Sequence, residues 1–304
     1  MAGKILNFGS LNIDYVYHVD NFVIPGETKL ATSLSKFGGG KGNNQSIALA
    51  RAGAKVYHAG NIGQDGVFLI EELKKEGVNT NFINISSTLP TGHAIIQVNT
   101  QGENCILLCG GANQEISKTY IKEVLDNFDA GDILLIQNEI SNLDTLIELA
   151  GAKQMLIYFN PAPMETKVLN YNLDLIDTFI VNQTEAATLT QSNDLDDMLI
   201  KMAQLFPKSK IILTLGQDGA IYQYKNQQIR QPGYKATAVD TTAAGDTFIG
   251  YFIATCLQQN VSVQSALETA CHAAAIAVTR KGATASIPYS NELQIKTNMV
   301  SSKS

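Results

Sequence analysis

From residue 116 onward, short apolar runs alternate with helical patterns, and few folds accommodate that alternation. Runs at 133–137, 155–159, 179–181 and 211–215 have the length and composition of buried strands. Helical stretches separate them: 117–128, a helix capped by Ser141 and reaching 152, one opened by Asn182-Gln183-Thr184-Glu185, and 195–206. The first half adds strands at 4–8, 55–61 and 82–85, a helix ending near 52, and a helix at 66–76 with Gly77 at its C-terminus. A turn, Gly216-Gln217-Asp218-Gly219, leads into a strand at 220–224, and 265–278 is an Ala-rich helix. Such a succession predicts an α/β fold, a mostly parallel central sheet flanked by helices on both faces. One piece stands apart. Apolar runs at 93–99 and 104–109, separated by Thr100-Gln101-Gly102-Glu103, read as a hairpin in a separate small sheet.

The chain has 304 residues, 45% of them hydrophobic and 16% charged, enough for one large domain with a sizeable core. No repeat or linker divides it. Its net charge of −6 and pI of about 5.3 argue against a surface that coats nucleic acid. No apolar run reaches the ~18 residues of a membrane span. The N-terminus passes into a strand too soon for a signal peptide, and the last dozen or so residues are polar and predicted to fray. Cys105, Cys109, Cys256 and Cys271 form no Cys-x-x-Cys pair and the histidines are scattered, so free thiols in a reducing cytoplasm are expected, not zinc.

Ligands of such sheets bind beyond the carboxyl ends of the strands. Asn12, Asp14, Glu139, Asn182, Gly216 and the stretch 240–247 all follow predicted strands, and are expected to line one crevice. Asn12 and Asp14, two apart, face one side of an extended segment. They suit adjacent hydroxyls of a sugar, or form an Asx turn. Gly38-Gly39-Gly40-Lys41-Gly42-Asn43-Asn44 is a glycine-rich helix entrance, but Gly42 after Lys41 rules out a Walker A loop. It offers a cation and an amide where backbone can approach closely. In Thr241-Thr242-Ala243-Ala244-Gly245-Asp246-Thr247, small residues leave helix-end amides uncovered, a cradle for phosphate oxygens. Asp246 is either the N-cap of that helix or a base beside an anion hole. As a base in a loose phosphoryl-transfer transition state, it needs no shifted pKa.

The motifs Gly9-Ser10-Leu11-Asn12-Ile13-Asp14, Gly39-Gly40-Lys41-Gly42-Asn43-Asn44-Gln45, Asp240-Thr241-Thr242-Ala243-Ala244-Gly245-Asp246-Thr247-Phe248 and Val278-Thr279-Arg280-Lys281-Gly282-Ala283 resemble those of the ribokinase family of carbohydrate kinases. The resemblance runs from Gly9 to about Pro288. It implies ATP-dependent phosphorylation of D-ribose at its 5-hydroxyl. Asn12, Asp14, Gly40, Lys41, Asn44 and Glu139 would hold the sugar. Asp246 would take the proton, and Ala243, Ala244 and Gly245 would supply the anion hole. Asn182, Thr214, Gly216, Gly219, Gly245 and Cys271 would follow the nucleotide, with Glu185 acting indirectly on Mg2+. Asp240, Thr242, Ala277, Arg280, Gly282 and Ser286 would hold an activating K+, largely through carbonyls. Residues 15–35 and 91–109 would form a β lid through which two copies pair as a homodimer. The same resemblance leaves open another sugar (deoxyribose, another pentose or a hexose), a nucleoside, or a non-catalytic sensor.

Overall fold

The computed structural model describes residues 3–293, so the polar tail lies outside the described residues. The expected alternation appears as a nine-stranded sheet among them. In it β1 (Ile5–Phe8) is flanked on one side by β4 (Val56–Gly63) and β5 (Asn79–Ser86). On the other side follow β8 (Ile133–Gln137), β9 (Leu156–Asn160), β10 (Thr178–Asn182) and β11 (Lys210–Thr214), all parallel to it. The antiparallel strands β12 (Ala220–Tyr224) and β13 (Gln227–Gln231) close that edge. The polar β13 has no apolar alternation, so its sequence does not announce a strand.

Side chains of each strand alternate between two cores. Leu6, Phe8, Leu134, Ile136, Phe179, Val181, Ile211 and Leu213 face α3 (Lys118–Leu125), α4 (Leu143–Ala152), α5 (Gln183–Thr190) and α6 (Leu195–Leu205). Ile5, Ile133, Leu135, Ile180 and Ile212 face α1 (Lys41–Arg51), α2 (Val67–Lys75), α7 (Ala244–Cys256) and α8 (Val263–Ala277). Burial on both faces explains why these strands read as continuous apolar runs.

The second sheet has four strands, in the order β3 (Ser33–Gly39), β2 (Asn12–His18), β6 (Gly92–Val98), β7 (Asn104–Cys109). The expected hairpin is β6–β7, while β2 pairs parallel to β6, so the small sheet is mixed. Its strands extend to Asn12 and Gly39, beyond the expected 15–35. Gly38 and Gly39 are therefore strand residues, not part of a loop opening α1.

Two predicted caps are corrected. Ser141 does not cap α4. Its hydroxyl accepts from the Ile116 amide (3.0 Å), and Asn142, in the left-handed region at φ 54°, occupies the cap position with no side-chain cap bond. Asp246 does not cap α7 either. The helix starts earlier than the apolar run suggests, with Ala243 at the cap and Asp246 inside the first turn.

Candidate active site

The chain order of the central sheet reverses between β1 and β8, and the site gathers at their carboxyl ends. Three helix N-termini converge there: those of α1, α5 and α7. A cleft of about 190 Å³ lies between them, lined by Lys41, Asn160, Asn182, Glu185, Thr214, Ala243, Gly245 and Asp246, with Ala162, Ile180, Val181 and Ile249 as apolar walls.

Helix α7 reaches the cleft because it packs very close to α1. A Cβ on Gly250 would fall 2.4 Å from the Cβ of Ala48. One turn above that contact, the Asp246 carboxylate accepts from Asn44 Nδ2 (3.0 Å) on one oxygen and from Gln45 Nε2 (2.8 Å) on the other. Ala243 carries φ 58°, a left-handed value that costs a residue with a Cβ about 1–2 kcal/mol. No side chain caps the helix. The Ala244 amide makes a long bond to the Thr241 carbonyl (3.3 Å) and the Thr247 amide bonds to the Ala243 carbonyl (2.8 Å). Gly245 and Asp246, second and third in the helix, have no partner inside it. The donors on the helix axis are thus Gly245 and Asp246 more than the expected Ala244.

Burial pushes the Asp246 carboxyl above the ordinary aspartate range, and the nearby Glu139 adds to this; the Lys41 ammonium and the Gln45 and Asn44 amides oppose it. Asp246 therefore does have a shifted affinity for protons. Burial alone would lower the Lys41 amine, but the carboxylates of Asp246, Glu139 and Glu185 outweigh it and hold the ammonium above its usual range. One fixed cation thus faces three carboxylates at the cleft mouth.

The predicted sugar residues cluster on the small-sheet side. Glu139 accepts from the Lys41 amide (3.0 Å) and from the Ser10 hydroxyl, and its other oxygen lies 3.8 Å from Lys41 Nζ. Gly40 turns the chain into α1 with φ 91°. Asp14 packs against Gly39 so closely that a Cβ there would fall 2.2 Å from the carboxylate. Burial, then the charge of Glu139, pushes Asp14 up to about 6. Asn12 Oδ1 accepts from Asn113 Nδ2 (2.7 Å), which leaves the Asn12 N–H groups to face outward. Asn113 is itself fixed by the Leu11 amide and carbonyl (3.1 and 3.2 Å). It lies in a short 3-10 turn, Gly111–Glu115, which has no apolar period to mark it in the sequence.

On the other side, Asn182 and Glu185 form a capping box at α5. Burial raises the Glu185 carboxyl, partly offset by the Asn182 amide and Lys41. Thr214 joins them in the cleft, whereas Gly216 and Gly219 are not among its lining residues. Gly219, at φ 99°, is required by the backbone. A Cβ there would fall 2.1 Å from the Gln231 carbonyl oxygen. Cys271 is also not among the lining residues: it is buried on α8 in the second core, and burial pushes its thiol up to about 11.

The two segments of the expected cation loop, 239–242 and 278–282, are bonded to each other. The Val239 and Asp240 amides bond to the Val278 carbonyl (2.7 and 3.2 Å). Asp240 accepts from the Thr242 amide and hydroxyl (2.9 and 2.6 Å) and from the Gly282 amide (2.9 Å). Burial opposes its ionisation, but these bonds prevail and hold it below the usual carboxylate range. Ala277 ends α8 with its carbonyl accepting from the Arg280 amide (3.0 Å), and the Ser286 hydroxyl bonds to the Ala283 carbonyl (2.8 Å). The Arg280 side chain is paired with Glu292 (3.4 Å), so any part it plays at a cation would be through its backbone. One carboxylate with backbone carbonyls is a donor set that fits a monovalent cation. Glu185, which lines the cleft with Asp246, fits a magnesium ion that keeps its waters and binds mainly to phosphates.

Comparison with known proteins agrees with this geometry. The family model described as pfkB family carbohydrate kinase matches residues 2–289. The ribokinase of Staphylococcus aureus is 35% identical over 303 residues, covering 96% of this chain and 99% of that protein. The ribokinase of Haemophilus influenzae is 37% identical, with 96% and 97% covered. A deoxyribokinase of Salmonella typhi is 31% identical, with 92% and 94% covered. The structure of Arabidopsis thaliana ribokinase complexed with ribose and ATP superposes with a TM-score of 0.86 at 28% identity, covering 97% of this chain and 98% of that one. The chain belongs to the pfkB family of carbohydrate kinases. Within that family it is a ribokinase-type enzyme.

Proposed function

We propose that the chain transfers the γ-phosphoryl group of ATP to the 5-hydroxyl of D-ribose. The observation that carries this reading is Asp246: a carboxylate gripped by two amides, beside uncapped helix-end N–H groups, in a cleft opposite Lys41. Asn12, Asp14, Lys41, Asn44 and Glu139 hold the sugar. Asp246 accepts the hydroxyl proton as the O–P bond forms. The α7 amides and Lys41 receive the charge that grows on the phosphoryl oxygens. Asn182, Glu185 and Thr214 line the phosphate side, and magnesium bound with ATP would neutralise phosphate charge there. A potassium ion between Asp240 and the 277–286 loop would steady the start of α7. The small sheet acts as a lid over the sugar and excludes water, so that ATP is not hydrolysed.

The lid also exposes apolar side chains: Leu34, Phe37, Ile106, Leu107 and Leu108 are each at least half exposed. By the register of the small sheet Phe37, Ile106 and Leu108 lie on one face and Leu34 and Leu107 on the other, and apolar surface of this kind suits pairing with a second copy. Leu107→Lys is expected to convert a dimer to a monomer in analytical ultracentrifugation.

A coupled ADP-release assay tests the substrate, with ATP, magnesium and a panel of ribose, deoxyribose, fructose, fructose 6-phosphate and adenosine, with and without potassium. Preference for ribose raised by potassium is expected. Preference for deoxyribose is the second reading, favoured by the similarity to a deoxyribokinase. It would keep the base and change only the sugar. No turnover of any would overturn the kinase reading.

A further inference from the structure

Beneath Asp246 runs a line of buried amides that no motif singled out. Gln45, Gln137 and Asn7 are each 0% exposed. Asn7 and Gln137 stand at strand positions whose neighbours, Ile5, Ile133 and Leu135, pack into the second core. Polar groups in such places are costly unless bonded. Here the bonds have a direction. Asn7 Nδ2 donates to the Gly42 carbonyl (2.7 Å) and to the Ser46 hydroxyl (2.8 Å). The Gly42 carbonyl can only accept, so the Asn7 amide cannot be reversed. Its Oδ1 must then face Gln137, which presents its NH2: Gln137 Nε2 donates to Asn7 Oδ1 (3.0 Å) and to Gln45 Oε1 (2.7 Å). With Oε1 occupied, Gln45 must point Nε2 at Asp246 Oδ1 (2.8 Å) and at Asn160 Oδ1 (3.3 Å). Reversal of any one amide would set two oxygens against each other.

The cost of this arrangement is visible. Gln137 Oε1 has no protein hydrogen-bond partner among the described residues, and it would lie 2.2 Å from a Cβ on Gly9.

We propose that Asn7, Gln137 and Gln45 are positioning residues: a buried relay, oriented by the Gly42 carbonyl, that keeps an N–H turned toward Asp246 and holds its carboxylate ready to accept the hydroxyl proton. The proposal deepens the reading of Asp246 as the base and rests on it. The relay touches neither sugar nor nucleotide. It acts on kcat through the aim of one carboxylate, and a misplacement of about 1 Å at a reacting group can cost about 10²-fold.

A double-mutant cycle on the full chain tests it. Kcat and KM are measured for Gln137→Met, Gln45→Met and the double variant, with the sugar that the panel assay shows to be turned over. Thermal melting confirms that each is folded. Each single variant is expected to lower kcat by about 10- to 100-fold with both KM values within about threefold. The double variant is expected to match Gln45→Met, because Gln137 acts through Gln45. Effects that multiply in the double variant, or Gln137→Met with wild-type kcat, would overturn the relay. Should Gln137→Met not fold, Asn7→Leu takes its place in the cycle with the same expectations. Asp246→Asn is the separate arm. Its loss of turnover with an inert Gln137 variant refutes the relay and leaves the base standing, while retained turnover refutes the base.

Discussion

The two aspartates of the site differ in what ionisation does for them. Asp246 is useful only as a carboxylate with an open lone pair. Asp246→Asn keeps the shape and removes the proton acceptor, so kcat is expected to fall by about 10²–10⁴ with sugar binding by calorimetry nearly unchanged. Asp14, pushed up to about 6, titrates within the working range of an assay. In the proposed sugar site its ionised form would accept from sugar hydroxyls. As pH falls through about 6 it gains a proton, and the sugar KM is expected to rise, by up to about tenfold per pH unit. A profile of sugar KM from pH 5 to 8 checks this, and Asp14→Asn should flatten it. The sign for stability is opposite. A carboxyl raised in the folded state contributes stability below its unfolded value of 3.8, and that contribution is lost as pH rises through about 6. Asp14→Asn is therefore expected to stabilise the ligand-free protein at pH 8, by on the order of 1–2 kcal/mol after allowing for partial exposure. Asp14 was legible from its spacing to Asn12. Its proton affinity was not, because that depends first on burial and then on the charge of Glu139, far along the chain.

Among the elements, the pair α1 and α7 matters most. Both begin at the cleft, and their separation decides whether Asp246 meets Asn44 and Gln45. Gly250 sets that separation. A Cβ there would clash with Ala48 Cβ at 2.4 Å and with backbone at 2.7 Å. Gly250→Ala must push the helices apart, at a cost of about 1–3 kcal/mol. A lower denaturation midpoint together with a reduced kcat is expected, while the same change at Gly53, which a Cβ would not crowd but whose φ of 92° it would strain, should lower stability alone. The start of α7 could be seen in the sequence only as a run of small residues. That Ala243 is the cap, and Asp246 a residue of the first turn, follows from a left-handed φ that alanine rarely adopts.

At the scale of the molecule, one arginine ties α1 to residues 284–289, more than 230 positions away. Arg51, at the end of α1, bonds to the Thr284 and Ile287 carbonyls (2.8 and 2.5 Å), pairs with Glu76 (2.6 Å) and lies under the Tyr289 ring (4.5 Å). It thus clamps the loop that carries Gly282 and Ser286. Both partners of the ion pair are mostly buried, with side chains 10% and 16% exposed, so Arg51→Met is expected to destabilise by about 3 kcal/mol in urea unfolding. Hydrogen bonding from Arg51 holds the Glu76 carboxyl below its usual 4.5. That contribution is present above pH 4.5 and is lost as pH falls through the lower folded value. Acid unfolding of Arg51→Met should accordingly be shallower than that of the wild type between pH 5 and 3.

Taken by itself, the sequence determined what depends on neighbours along the chain. The strand and helix periods, the residues at strand ends and the glycine-rich entrances to α1 and α7 are local patterns, and they pointed to one crevice lined by Asn12, Asp14, Glu139, Asn182, Gly216 and 240–247, of which Asn12 and Asp14 lie on the second sheet and Gly216 is not among the cleft's lining residues. Tertiary structure alone decided who meets whom there. Gln45 and Asp246 are 201 residues apart, and Asn113 and Asn12 are 101 apart. Asn7 and Gln137 look like flaws in apolar strands until β1 and β8 lie side by side beneath α1. Side-chain hydrogen bonds between distant segments follow no period, so they become visible only once packing has brought the partners together.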